Sequence, residues 1–144
     1  MATIRSGRPE DVDAVLALWR DQAAPHPHPV GDADSLAGLL AHDRDALLVA
    51  EVDGRVAGAL VAAWDGWRGN MYRLAVDPAH RRRGIGRDLV RAGERRLAAR
   101  GARRITALVA HDDAIARELW SAAGYEPDRE LGRMFRNLDG GEAG

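Results

Sequence analysis

Four arginines and two glycines stand together in Arg81-Arg82-Arg83-Gly84-Ile85-Gly86-Arg87, just after the apolar run Met71-Tyr72-Arg73-Leu74-Ala75-Val76 and the turn residues Asp77-Pro78. Glycine at 84 and 86 leaves the main chain bare. Successive N–H groups at a helix start can then close on a phosphate or diphosphate, aided by the positive end of the helix dipole. Guanidinium groups add charge and paired donors that match phosphate oxygens. The chemistry written into this segment is anion binding. A dinucleotide-binding fingerprint is a poor alternative, because its third glycine would fall at Leu89. A P-loop of the usual kind is excluded, since all 21 Lys-or-Arg positions of the chain are arginine.

The elements that must position this cradle alternate in type. Thr3 to Arg5 reads as a strand, and Arg8-Pro9-Glu10-Asp11 opens a helix with proline and acids in its first turn. Val12, Val15, Leu16 and Trp19 give that helix one apolar face. The alternating prolines of Ala24-Pro25-His26-Pro27-His28-Pro29 force a loop. A second helix follows, capped by Asp34 and carrying Leu36, Leu39 and Leu40. Ala46 to Val52 and Arg55 to Trp64 form an antiparallel pair joined by the hairpin signal Asp53-Gly54. After the strand at 71–76, a helix over about 85–100 places Ile85, Leu89, Gly93 and Leu97 on one face and ends at Gly101. Arg104 to Ala110 is the next strand, and Asp113 caps a helix with Ile115, Ala116, Leu119, Trp120 and Ala123 inward. Tyr125 to Leu138 is expected to add one or two strands, leaving 139–144 as a flexible tail after a single domain over 1–138. The sum is an α/β (α+β) domain.

Composition narrows the classes of function. A chain of 144 residues supports one core, burying about 70% of the surface exposed on unfolding. Acids and bases nearly cancel, which gives no global field toward nucleic acid or membrane. No cysteine is present, so disulfides, thiolate metal sites and cysteine nucleophiles are excluded, and the absence of lysine excludes Schiff-base chemistry. No apolar run is long enough to span a bilayer, and no signal peptide opens the chain, so a soluble cytoplasmic protein is expected. His26 and His28 have the spacing of a chelating pair without an evident third ligand, so no metal is expected.

The order of elements, together with Leu74-Ala75-Val76-Asp77-Pro78, Arg81-x-x-Gly84-x-Gly86 and Ala116-x-x-Leu119-Trp120-x-x-x-Gly124-Tyr125, resembles the GNAT superfamily of acetyl-CoA-dependent N-acetyltransferases over essentially the whole chain. The Asp65-Gly66-Trp67-Arg68-Gly69 loop is more loosely similar to small bacterial members of the YpeA type. The resemblance implies a central, mixed, mostly antiparallel sheet of six or seven strands with about four helices. The strand at Leu74–Val76 would splay from the one at 104–110 and admit the pantetheine arm of acetyl-CoA. Backbone groups of Leu74 and Val76 would bind its amides, and main-chain N–H groups of Arg82, Arg83, Gly84, Ile85, Gly86 and Arg87 its diphosphate, with Ala75, Arg81, Asp113 and Trp120 completing the cofactor site. A core-strand N–H would face the thioester oxygen, a contact worth roughly 3–4 kcal/mol in comparable sites.

The chain departs from the family pattern where protons move. An alkyl ammonium, with pKa near 10.4, must lose a proton before it attacks. The positions where several relatives carry glutamate are here Asn70 and Leu108, neither of which is a base. Glu51, Asp65, Tyr72 and His111 are the alternatives, with His111 or Asp65 acting through water preferred. The tyrosine that relatives use to protonate the leaving thiolate is replaced by Trp120, so Tyr72 or Tyr125 must serve, or water. Trp67, in a glycine-flanked loop, is a candidate for touching substrate, while Trp19, Trp64 and Trp120 read as core.

The expected activity is direct acetyl transfer from acetyl-CoA to a primary amine, on a small molecule or a peptide N-terminus, in a chain that forms a possible homodimer. Asp32, Asp34, Asp65, Asp112 and Asp113 hint at a cationic acceptor, whose identity the loops near 24–34 and 65–70 and the tail would set. The alternative is an acyl-CoA-binding sensor with little turnover. An RNA-binding reading is weaker, because no aromatic residues interleave with the arginines at 91, 95, 96, 100, 103 and 104, which read as a solvated face.

Overall fold

Strand-forming runs of Leu, Val and Ala on either side of Asp53-Gly54 build the centre of the sheet. At that turn both residues adopt positive φ, 50° and 77°, as a tight hairpin requires. The structure, a computed structural model, describes residues 2–21, 33–136 and 138. The Pro-rich loop with His26 and His28, Asp32 and the 139–144 tail lie outside the described residues. In chain order the elements are β1 (Thr3–Ser6), α1 (Val12–Asp21), α2 (Ala33–His42), β2 (Leu47–Val52), β3 (Arg55–Trp64), β4 (Gly69–Val76), α3 (Ile85–Ala99), β5 (Ile105–Ala107) and α4 (Ala114–Ala122).

The sheet runs β1-β2-β3-β4-β5, antiparallel except for the parallel β4–β5 pair. One face packs Leu60, Met71, Val76 and Ala62 against Ile85, Leu89, Val90 and Leu97 of α3 and Trp120 of α4. The other packs Leu47, Val49, Val61 and Ala75 against Val15, Leu18 and Trp19 of α1 and Leu36 and Leu40 of α2. Among the described residues no helix is long and apolar enough to cross a membrane.

Several expectations are corrected. The sheet has five strands among the described residues, not six or seven, because the segment after Tyr125 forms none. Pro127 has no N–H for a ladder, and the Asp128 carboxylate takes the N–H groups of Glu130 and Leu131 at 2.9 and 3.1 Å, which fixes a turn where a strand was expected. Beta5 is three residues long instead of the seven of 104–110. Asp34 sits inside the first turn of α2, not at its cap. Ile115 of α4 is 51% exposed, on the outer face. Arg96 is not on a solvated face. It pairs with Asp43 and donates through Nε to the carbonyl of Ala62 at 3.0 Å, clamping α3 to the segment after α2 around the end of the sheet.

Alpha1 is set by a buried carboxylate. Asp11 accepts Arg5 Nη1 and Nη2 at 2.7 and 3.0 Å and the Arg8 N–H at 2.7 Å, tying β1 to the turn that starts the helix. Hydrogen bonding from Arg5, ahead of the opposing cost of burial, holds this carboxyl below the ordinary aspartate value. A carboxyl depressed in the folded state contributes stability above its unfolded pKa and loses it as pH falls through the folded value. Asp11→Asn is therefore expected to cost about 3 kcal/mol near neutral pH, the penalty of stranding one member of a buried pair. In urea titrations, the gap to the unmodified chain should close as pH drops below about 4. A gap independent of pH would assign the loss to packing instead.

Candidate active site

The sheet stops pairing halfway along β4. Gly69, Asn70 and Met71 pair with Ile105, Thr106 and Ala107, and the Leu108 N–H then donates to the Met71 carbonyl at 3.0 Å. Beta4 continues to Val76 beside β3, while the chain at 108–111 leaves the sheet. A wedge opens between them, where the splay was expected. A surface hollow of about 490 Å³ bounded by Arg91, Glu94, Arg104, Ile105 and Tyr125 lies at the other end of β5 and is not part of this wedge.

The wedge begins at a bulge. Ala59 pairs with Ala75 but Val61 pairs with Tyr72, so Arg73 and Leu74 together face Leu60 and β4 carries one extra residue. Arg73 takes φ of +60°, a conformation that costs an L-residue about 1–2 kcal/mol. Its carbonyl leaves the ladder and accepts the Trp19 Nε1–H at 2.9 Å, and its guanidinium stands over the Trp19 ring, 5.4 Å from the centroid. Sequence reasoning took Trp19 as core, which its burial supports, and missed its bond to β4. An arginine inside an apolar strand was the only available signal.

Beyond β4, Asp77 caps a short turn by accepting the Ala79 N–H at 2.9 Å, and the chain reaches the cradle. The first N–H of α3 with a main-chain acceptor is that of Asp88, on the Gly84 carbonyl at 2.9 Å. Among the described residues, those of Ile85, Gly86 and Arg87 precede the ladder and point out of the helix start. Arg82 adopts φ of +64° and Gly84 of +79°, which turns the loop back on itself. Arg82, Arg83, Gly84 and Arg87 are exposed and Arg81 half-buried, and Arg83 Nη1 lies 3.3 Å from His80 Nδ1. The two glycines do different work. A Cβ on Gly84 would meet nothing within 4 Å, so its role is conformational, whereas one on Gly86 would come 2.7 Å from Leu119 Cδ2 of α4. Gly86 and Ile85 are buried, and that packing seats the helix start beside Val76.

The candidate proton-transfer groups separate by environment. Tyr72 is half-buried against the α1–α2 side of the core; burial raises its pKa, opposed by the charge of Arg133 and reinforced by that of Asp65. It stays a phenol at neutral pH, with a proton available to donate. Asp65 accepts the N–H groups of Arg68 and Trp67 at 2.6 and 2.8 Å, and these bonds lower its pKa, making it a poorer base. Trp67 is 74% exposed, with the Arg68 guanidinium 4.2 Å from its ring centroid. His111 is exposed, and its carbonyl accepts Arg117 Nη1 at 3.2 Å. Glu51 lies on β2 with Arg5 at 3.5 Å. Tyr125 donates to Glu94 Oε2 at 2.8 Å, and burial together with that bond raises its pKa. Asp113 caps α4 by accepting the Ala116 N–H at 3.0 Å. Trp120 is buried, edge-to-face with Tyr125 at 4.9 Å between centroids. No three His, Cys, Asp or Glu side chains gather as a metal site among the described residues.

The family model of the acetyltransferase (GNAT) family matches residues 13–125. The chain is 37% identical over 125 residues to acetyltransferase ECA0875 of Pectobacterium atrosepticum, across 85% of this chain and 86% of that protein. Among solved structures it is similar to Ard1 from Thermoplasma volcanium, with TM-score 0.75 and 21% identity over 85% of this chain and 81% of that one. It is also similar to the diaminobutyrate acetyltransferase EctA of Paenibacillus lautus, solved with L-2,4-diaminobutyric acid and coenzyme A. There the TM-score is 0.70 and the identity 22%, over 85% of this chain and 74% of that one. At these identities the structures establish the shared fold.

The division of labour between the glycines is testable. Gly84→Ala should lower stability by about 1 kcal/mol through the positive φ alone, whereas Gly86→Ala should act through the α3–α4 contact. Arg83→Glu should weaken coenzyme A binding in calorimetric titration by charge, and Gly86→Glu by forcing α4 off the helix start as well as by charge. Unchanged affinity in both would remove the cradle assignment.

Proposed function

We propose, from the premise that this chain belongs to the acetyltransferase (GNAT) family, that it transfers acetyl from acetyl-CoA directly to a primary amine. One observation carries the reading. The wedge where β4 and β5 part lies along the same strand that delivers the chain to the glycine–arginine cradle, which supports a single extended ligand reaching from one to the other. The main chain of Leu74, Ala75 and Val76 would hold the pantetheine amides, and the segment from Arg81 to Arg87 the diphosphate. The catalytic domain on this reading is residues 1–138.

The amine nitrogen attacks the thioester carbonyl carbon, the carbonyl oxygen takes the negative charge against a β4 N–H, and collapse breaks the C–S bond. The thiolate leaves and is protonated. We assign that role to Tyr72, which burial keeps protonated at neutral pH while making it a weaker acid than a free phenol. Asp65 suits another than the one expected from sequence: its two N–H bonds favour the charged form, so it attracts an ammonium group better than it accepts a proton. Water, or His111 through water, takes the amine proton. An acceptor with cationic character fits this arrangement, and the diaminobutyrate bound by EctA is of that class.

Thiol release from acetyl-CoA should appear with at least one member of a panel of diamines, aminoglycosides and peptide N-termini. Tyr72→Phe should lower kcat by about 10²-fold or more with little change in KM. Acetyl-CoA binding without release for any amine would favour the sensor reading. An unchanged kcat in Tyr72→Phe would leave the leaving group to water.

A further inference from the structure

The bulge in β4 is held from outside the sheet. Arg73 keeps a left-handed conformation that its side chain disfavours, and such a residue persists only where its surroundings over-determine it. Trp19 supplies that determination from α1. Its indole is buried, so its N–H needs an acceptor, and the acceptor it finds is the Arg73 carbonyl at 2.9 Å. Its ring also faces the Arg73 guanidinium.

A trans peptide is planar, so the carbonyl of Arg73 and the N–H of Leu74 point in opposite directions. With the carbonyl drawn to the α1 layer, the Leu74 N–H is directed away from it, at the level where β4 has just parted from β5. We infer that Trp19 is a positioning residue for acetyl transfer: by locking the Arg73–Leu74 peptide it aims the Leu74 N–H at the thioester carbonyl oxygen. This rests on the acetyl-CoA reading above. The lock acts on the acyl end of the ligand and leaves the diphosphate cradle, on the far side of Val76, untouched.

Comparing acetyl-CoA with coenzyme A isolates that end. In calorimetric titrations of the full chain, Trp19→Phe should bind coenzyme A within about twofold of the unmodified protein while its preference for acetyl-CoA falls about three- to tenfold, the range of one hydrogen bond. Infrared difference spectra with carbonyl-labelled acetyl-CoA should show the bound thioester stretch at lower frequency than free, returning toward the free value in Trp19→Phe. A structural defect alone would weaken both ligands together. An unchanged preference and an unchanged carbonyl band would overturn the lock.

If Trp19→Phe does not fold, the unmodified protein still decides. The Leu74 amide resonance should differ between the acetyl-CoA and coenzyme A complexes, and the Trp19 indole proton should exchange slowly. An amide blind to the acetyl group would overturn the inference. Binding of neither ligand would instead sink the acetyl-CoA reading and take this inference with it.

Discussion

The one extra residue in β4 is the constraint on which the rest of the structure depends. A strand that carries a bulge bends and twists more strongly, and its neighbours must follow or part. Beta3, joined to β4 by a short hairpin and paired along most of its length, follows. Beta5 arrives from α3 with only three paired residues and parts. The bulge therefore converts a continuous sheet into one with a wedge whose wall is main chain. It also explains why the buried Trp19 meets the sheet through a hydrogen bond as well as through packing.

That wall is useful only if the chain beyond it is fixed, and the two glycines secure this by different means. Gly84 allows the left-handed turn that exposes the helix start, and Gly86 lets α4 close against it through Leu119. The candidate anion site and the packing of α4 thus share one helix start. Changes at position 86 cannot be read as ligand effects alone, whereas those at 84 have no packing partner to disturb.

Much of this was legible in residue order because it is local. Asp53-Gly54, Pro9 with its acids, Gly101 and the cap at Asp113 each act within a few residues, and each is where the sequence placed it. The glycine–arginine turn ahead of α3 was legible for the same reason. The wedge was legible only through the family resemblance: Arg104 to Ala110 has the composition of a strand throughout, and it is the geometry of β4 that ends the pairing at Ala107. Arg96 read as one of a solvated run because its partner, Asp43, lies far off in sequence. The apolar residues after Gly124 suggested strands, but Pro127 and the turn closed by Asp128 withhold the N–H groups that a ladder needs. Asp65 read as a base by residue type, and the two N–H groups that lower its basicity appear only in the structure.

The exclusive use of arginine fits a protein that holds an activated acyl group. A lysine near the thioester would be both a phosphate ligand and, once deprotonated, a competing nucleophile; a guanidinium supplies the charge and paired donors without ever presenting a free amine. The chain has no lysine, and Arg82, Arg83 and Arg87 stand exposed around the cradle with Arg73 beside the bulge. On the proposed reading, the arginines beside the diphosphate supply charge without an amine that could take the acetyl group. With no cysteine in the chain either, thiol capture is closed as well. On that same reading the attacking nitrogen belongs to the acceptor, and Tyr72 with the charge of Asp65 marks the α1–α2 side for its approach.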